Sequence, residues 1–220
     1  KIRTLCQEAL ETAYEHIFQG STVITIGRLS EQKGQWHLIR VFAQLKQIIP
    51  ALKLAIIGKG DLEDSLKQLI KNSALANDVF LLGWQQNPYK FLAKSQLFVS
   101  SSLWEGLGIS LLEALACNLP VVSSDCPSGP REILAPGTTI GYQTTGIEYA
   151  PYGILVPPCE KKFLTEEVPL SQSENILKAA ILEVLRDQKI FQTLRENAGR
   201  RAMDFDVHHI IKEYETLLDL

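Results

Sequence analysis

Three short apolar runs, each closed by a glycine, constrain this chain more than any other feature: Thr22-Val-Ile-Thr-Ile-Gly27, Lys53-Leu-Ala-Ile-Ile-Gly58 and Asp78-Val-Phe-Leu-Leu-Gly83. They are rich in β-branched residues and show no polar alternation, the pattern of strands buried on both faces. Gln96-Leu-Phe-Val-Ser100, Pro120-Val-Val-Ser-Ser124 and Gly153-Ile-Leu-Val156 continue the series. The segments between them have helical spacing. Leu38, Val41, Phe42 and Leu45 share one face of a helix over 35–49 that Pro50 stops, and Asp61 is the expected N-cap of a helix reaching Leu75. Shorter helices are expected over 88–94 and 108–117. Strands that alternate with helices predict an α/β, Rossmann-like domain: a central parallel sheet of about six strands with helices on both faces.

The flanks carry helices. Residues 1–20 read as one helix, with Leu5, Ala9, Ala13 and Phe18 drifting along a face. After Val156 come three prolines within a polar stretch, so 157–172 reads as a surface loop or small insertion. Helices are then expected from Ser173 to Leu185, Ile190 to Met203 and Val207 to Leu218. No repeat or internal boundary is visible. One domain over 1–220 is expected, with its core over about 20–203 and a terminal helical segment over 204–220.

At 220 residues and 45% apolar, the chain can bury one substantial α/β core. A net charge of −3 gives no general attraction to nucleic acid or anionic lipid. No apolar run is long enough to span a bilayer. There is no signal peptide, and a chain that begins at Lys1 reads as part of a longer protein. Cys6, Cys117, Cys126 and Cys159 have no metal or redox spacing, so free thiols in a reducing cytoplasm are expected. His208-His209 opens the terminal amphipathic helix, where a solvated or half-buried face is the simpler reading than a metal site.

Three loops have the residues for chemistry. Gly27-Arg28-Leu-Ser-Glu-Gln-Lys33-Gly34 sets two cations between a strand and a helix, which suits a phosphate or diphosphate but also fits a solvated polar turn. Trp104-Glu105-Gly106-Leu107-Gly108-Ile109-Ser-Leu-Leu-Glu113-Ala114 holds two glutamates eight positions apart, the first in a glycine loop, the second within the helix it opens. The loop is narrow enough to aim amides 106–109 at an anion or sugar oxygens. Glu113 sits among apolar neighbours, where a carboxylate is costly unless bonded, and two adjacent ribose hydroxyls would suit it. The alternative is a loop charge and a solvent-facing helix position. Asp125-Cys-Pro-Ser128-Gly-Pro130-Arg131 reads as a capped helix start, with Ser128 as N-cap and Pro130 in the first turn. Capping leaves Arg131 as a surface side chain or a ligand contact, and the structural reading is preferred. The chain has no Walker-type, dinucleotide-binding, nucleophile-elbow or zinc-protease motif.

In order, "GRLSEQKG", "IIGKGD", "FLLGW", "SSLWEGLGISLLEALACNLPVVSSDCPSGPREIL" and "YGILVP" resemble the C-terminal, donor-binding domain of retaining GT-B glycosyltransferases, the glycosyl transferases group 1. The resemblance covers roughly residues 20–160, and the two glutamates are the family's signature. It implies that Arg28 and Lys33 hold the diphosphate of a nucleotide-sugar donor and that Glu113 holds the ribose hydroxyls. Glu105, with the amides of Gly106, Leu107, Gly108 and Ile109, would hold the sugar and phosphate. Trp84, after Gly83, would lie against the base, and Gly27, Gly58 and Gly60 would line the cleft. Arg28, Lys33 and Glu105 would be the catalytic residues, with no metal and no cofactor required beyond the sugar nucleotide. Leu107 departs from the aromatic residue many members carry there, and 157–172 is longer than the family's link.

The resemblance implies transfer of a hexose or N-acetylhexosamine, from a UDP-sugar first and a GDP-sugar second, to a glycan or lipid-linked acceptor in cell-surface polysaccharide synthesis. The acceptor domain, which normally precedes this one, is absent from the chain, so the chain alone should bind donor and transfer little. The expected site of action is cytoplasmic, at the inner membrane face where the full-length enzyme associates peripherally. No nucleic-acid partner is expected. The same architecture also serves epimerases, phosphorylases and non-catalytic nucleotide-binding modules, which remain alternatives.

Overall fold

The computed structural model describes residues 1–218. Two short helices, α1 (Ile2–Leu5) and α2 (Thr12–Glu15), precede β1 (Thr22–Ile26). A 3-10 turn at Glu31–Lys33 leads into α3 (Gln35–Ile48), followed by β2 (Lys53–Ile57), α4 (Glu63–Asn72), β3 (Val79–Gly83) and α5 (Tyr89–Lys94). Then come β4 (Leu97–Ser100), α6 (Ile109–Ala116), β5 (Val121–Ser124), α7 (Pro130–Leu134), β6 (Glu148–Ala150) and β7 (Gly153–Val156). The chain closes with α8 (Gln172–Arg186), α9 (Gln188–Met203) and α10 (Val207–Leu217). The last two positions of the expected 204–220 segment lie outside the described residues.

The strands form one sheet in the order β3-β2-β1-β4-β5-β7-β6. The six expected strands are all parallel; β6 is an added edge strand, antiparallel to β7. Glu148-Tyr149-Ala150 has no apolar run to announce it, because a strand paired on one side needs no burial on both faces. Neighbouring residues of each strand feed opposite layers. Val23, Leu54, Leu97 and Val122 pack toward α3, α4 and α8, while Ile24, Ala55, Phe98 and Val121 pack toward α5, α6 and α7. Strand order reverses between β1 and β4, so the loops leaving those two strands flank a crevice at the carboxyl edge, where folds of this kind bind ligands.

Several sequence expectations need correction. Residues 1–20 are two short helices, not one. The segment is tied to α5 and the turn before it through polar anchors, Asn87 Nδ2 to the Leu5 carbonyl at 3.0 Å and Lys90 Nζ to Glu11 at 2.7 Å, and only its later apolar residues reach the core. Asp61 does not cap α4. The helix starts at Glu63 with Leu62 at the N-cap, because the Leu62 N–H bonds the Leu29 carbonyl and holds the preceding turn against the β1 loop. The last strongly polar stretch does form a loop, but it is anchored. Trp36 Nε1 donates to the Lys162 carbonyl at 3.0 Å, His37 Nε2 lies 2.9 Å from the Glu160 carbonyl, and Arg40 donates to the carbonyls of Thr165, Val168 and Pro169. Helix α8 begins at Gln172 behind a capping box of Ser171 and Glu174.

Glu174 unites these anchors. It is fully buried and accepts from Arg40 Nε at 2.8 Å and the Ser171 N–H at 2.8 Å, with His37 Nδ1 2.9 Å away. Burial alone would raise its carboxyl, but the bonds from His37, Arg40 and Ser171 outweigh it and hold it down at about 2. A carboxyl held below its ordinary value of 4.5 stabilises the fold above that pH, and the contribution disappears as pH falls toward 2. Urea unfolding followed between pH 6 and pH 2 should therefore show the parent chain losing on the order of 3 kcal/mol more than Glu174→Gln over the acid limb. Parallel curves for the two chains would remove Glu174 from this role.

Candidate functional site

The loops that leave β1 and β4 are bonded to each other. Gly34 adopts φ +56°, and a Cβ there would stand 2.5 Å from the Ser101 carbonyl oxygen. The Ser101 hydroxyl lies within 3.1 Å of the carbonyls of both Lys33 and Gly34. The Leu103 N–H donates to the Gln32 carbonyl at 2.8 Å, and Gln32 Nε2 donates to the Trp104 carbonyl at 3.0 Å. These contacts bring Lys33 Nζ to 2.6 Å from Glu105 Oε1, with the side chains 19% and 6% exposed. The Ser102 hydroxyl donates to the same oxygen at 2.6 Å. Glu105 Oε2 has no protein partner among the described residues, and Lys33 has two of its three N–H groups left.

Gly108, at φ +73°, turns the chain into α6. Nothing among the described residues accepts from the N–H groups of Gly106 to Ile109, so they form an open donor set at a helix start. One turn into α6, Glu113 Oε1 accepts from the Tyr89 hydroxyl at 2.9 Å. Burial pushes the Glu113 carboxyl up against that bond. Burial and the neighbouring carboxylate push the Tyr89 hydroxyl up to about 12.

Gly27, Arg28, Gly58, Trp84, Gln85 and Glu113 line one cleft of about 630 Å³ at this edge. The Arg28 side chain is exposed and has no partner among the described residues. Trp84 is 68% exposed. The Lys33 stem lies over Gly27, where a Cβ would meet it at 3.1 Å, so the ion pair borders the same cleft. Five predicted positions, Gly27, Arg28, Gly58, Trp84 and Glu113, thus share the cleft, and Lys33 and Glu105 join at its rim.

The other predicted positions stand apart from that lining. Gly60 packs on Leu29 and Gly83 ends β3, its carbonyl accepting from the Gly58 N–H at 2.8 Å. Ile109 and Leu107 are exposed on the glutamate loop, and Ile109 lines a neighbouring groove with Tyr89 and Glu113.

The loop after β5 backs the glutamate loop. The Ser124 hydroxyl donates to the Ser102 carbonyl, and the Glu105 N–H donates to the Pro127 carbonyl at 3.2 Å. Ser128 is not the N-cap of α7. Gly129 holds that position at φ +79°, and its N–H bonds Glu132 Oε1 at 3.1 Å. A Cβ on Gly129 would lie 2.6 Å from the Leu107 carbonyl, so a side chain would push into the glutamate loop. Arg131 is neither a surface side chain nor a cleft residue. It is buried between Asp125 (2.5 Å) and Glu148 (2.8 Å), which raise it further above the ordinary guanidinium range. Sequence reasoning missed Ser101, Ser102, Tyr89 and Gly129. The serines that run on from the buried strand ending at Ser100 were the available signal for the first two.

A sequence model described as glycosyl transferases group 1 matches residues 15–166, and the chain belongs to that family. An uncharacterized glycosyltransferase of Methanocaldococcus jannaschii is 44% identical over 223 residues, covering 100% of this chain and 55% of that protein. The Campylobacter jejuni N-acetylgalactosamine-N,N'-diacetylbacillosaminyl-diphospho-undecaprenol 4-alpha-N-acetylgalactosaminyltransferase is 32% identical over 212 residues, 96% of this chain and 49% of that one. The chain therefore spans about half the length of these curated relatives. Among solved structures, Anabaena HepE in complex with UDP-glucose superposes with TM-score 0.69 at 26% identity, over 100% of this chain and 52% of that chain. The pneumococcal O-GlcNAc transferase GtfA, solved with UDP and GlcNAc, superposes at TM-score 0.72 and 20% identity over 91% of this chain and 36% of that chain, a likeness of fold. The fold is that of the C-terminal domain of GT-B glycosyltransferases, as the motif order led us to expect.

Gly106 and Gly129 make a discriminating pair. A Cβ at Gly106 meets nothing within 4 Å, whereas at Gly129 it meets backbone at a positive φ. Thermal or urea unfolding should find Gly106→Ala within about 0.5 kcal/mol of the parent and Gly129→Ala destabilised by about 2 kcal/mol or more. Equal stabilities would show that the β5 loop does not brace the glutamate loop.

Proposed function

We propose that this cleft is the donor site of a retaining glycosyltransferase, taking a nucleotide-diphosphate hexose or N-acetylhexosamine. The reading is carried by one observation: three cations, Arg28, Lys59 and Lys33, and two carboxylates, Glu105 and Glu113, border a single cleft at the switch point of the sheet. The charges divide by chemistry. Arg28 and the two remaining N–H donors of Lys33 suit diphosphate oxygens, and the amides of Gly106 to Ile109 add neutral donors. Glu105 Oε2 suits a sugar hydroxyl. Glu113, steadied by Tyr89, suits the paired hydroxyls of ribose, and exposed Trp84 offers a face to the base. Gly58 and Gly60 keep the β1 and β2 loops close enough for this cleft to be narrow.

Catalysis in this reading is electrostatic. As the glycosidic bond breaks, negative charge grows on the departing diphosphate; Lys33 is a cation already held beside it by Glu105, and Arg28 is a second cation with no protein partner among the described residues to compete, so a metal is not required. Glu105 anchors Lys33 and orients the sugar. UDP-sugars are the first candidates, supported by the UDP-glucose complex of Anabaena HepE, and GDP-sugars are second. The acceptor is a glycan or a lipid-linked glycan, a class supported by the diphospho-undecaprenol in the name of the Campylobacter jejuni relative. It is reached through a domain outside this chain, and the product belongs to cell-surface polysaccharide. No helix among the described residues is long and apolar enough to cross a membrane. Peripheral association with the inner membrane face, from the cytoplasm, would bring the full-length enzyme to such an acceptor.

Titration calorimetry of this chain with UDP tests the assignment. Arg28→Ala and Glu113→Ala should each weaken binding about tenfold or more, the loss of one charge-assisted contact. The raised Glu113 carboxyl takes up its proton above the pH of an ordinary carboxylate. Affinity should therefore hold at neutral pH and fall as pH drops through that raised value, and 2′-deoxy-UDP should show a weaker fall. UDP and GDP binding unchanged in both variants would remove the cleft from this role.

A further inference from the structure

Cys6 and Cys117 are 111 positions apart in the sequence, yet their sulfurs lie 3.1 Å from each other. That is inside the ~3.5–4.0 Å contact distance of non-bonded heavy atoms and about 1 Å beyond an S–S bond. Both are free thiols, and Cys126 and Cys159 have no such neighbour. Each of the paired cysteines follows a helix: Cys6 ends α1, and Cys117 is the C-cap of α6. The approach is held by independent contacts. Asn87 bonds the Leu5 carbonyl, Lys90 bonds Glu11, and the Cys117 N–H bonds the Glu113 carbonyl at 3.2 Å.

Cys117 does not line the cleft; it borders a separate pocket with Leu92, Ser95 and Asn118, and it connects to the cleft through Tyr89 and Glu113. Its thiol faces the Tyr89 carbonyl at 4.0 Å, and the Tyr89 hydroxyl bonds Glu113. A covalent link from Cys6 to Cys117 would fasten the N-terminal segment across the junction of α5 and α6, directly behind the residue that faces the cleft.

We propose that Cys6 and Cys117 form a redox modification site, which a small disulfide such as oxidised glutathione converts into an intramolecular disulfide that staples residues 1–6 to the α5–α6 wall. The Cys6 thiol loses its proton to solvent, and its thiolate attacks one sulfur of the reagent, releasing one reduced glutathione. The Cys117 thiolate then attacks the Cys6 sulfur of the mixed disulfide, releasing the second. Two protein thiols are oxidised to one disulfide, and one glutathione disulfide is reduced to two thiols. The order follows from environment: burial pushes the Cys117 thiol up, so it is the poorer first nucleophile and serves as the resolving partner. The site is independent of which nucleotide the cleft accepts.

The test is to incubate the 220-residue chain with oxidised glutathione, alkylate, and measure the intact mass, the linked peptides and the melting temperature. The expected result is a loss of about 2 Da before alkylation, two of four thiols protected, and a single linked pair of peptides containing Cys6 and Cys117. The melting temperature should rise by on the order of 10 °C, because the link closes a long loop, and the rise should vanish with dithiothreitol. Cys6→Ser, verified as folded by circular dichroism, should lose all three signals, and Cys126→Ser should keep them. Four alkylatable thiols after treatment, a persistent glutathione adduct without closure, or a link through Cys126 or Cys159 would overturn the proposal.

Discussion

The Lys33–Glu105 ion pair is the contact on which the functional edge depends. The two residues stand on loops that leave β1 and β4, the strands between which the sheet reverses its order. Any parallel sheet wound this way opens a crevice there, because its connecting helices diverge to opposite faces. Here a charged bond crosses the crevice. Glu105 is nearly buried, so its carboxylate requires a partner, and removing Lys33 would leave a costly uncompensated charge. Both groups keep capacity toward the solvent: an unused carboxylate oxygen on one and two N–H donors on the other. The pair holds two loops in register and still presents its free valences to a ligand.

The supports behind this pair are made of backbone. Gly34 lets the β1 loop press against Ser101, and Gly58 and Gly60 let the β2 loop press against Gly27 and Leu29. Gly129 lets the β5 loop press against Leu107. Close approach of main chain to main chain fixes geometry without flexible side chains, which suits a site that must match a ligand of several charged and hydroxylated groups. The long segment after β7 contributes at a distance. It is strapped to α3 by Trp36, His37 and Arg40, and Lys161 lies over the ring of Trp104 at 5.4 Å.

The amino-acid sequence made the centre of the fold legible and the periphery much less so. The six parallel strands were readable because burial favours apolar residues along them, with only small hydroxyl side chains such as Thr22, Thr25, Ser100, Ser123 and Ser124 as buried polar members. β6 was not, since Glu148-Tyr149-Ala150 sits at an edge where composition is unconstrained. Residues 1–20 had helical spacing, but spacing does not show that Asn87 and Lys90 hold the backbone elsewhere. Ser128 looked like a cap by type. Gly129 took the position because the chain there must adopt a positive φ beside Leu107. Motif order brought Arg28, Lys33, Glu105 and Glu113 to attention together. That Lys33 and Glu105 touch, that Tyr89 steadies Glu113, and that Cys6 meets Cys117 are long-range contacts with no local signature.

A donor site of this kind requires that a nucleotide-diphosphate sugar engage the two bridged loops together. Hydrogen–deuterium exchange of this chain with and without UDP-glucose measures that directly. Protection is expected in the loops 27–34, 58–60, 83–85 and 104–110 and at the start of α6, with the α8–α9 face unchanged. Protection absent from both bridged loops, or confined to the opposite edge of the sheet around 92–96 and 118–120, would contradict it.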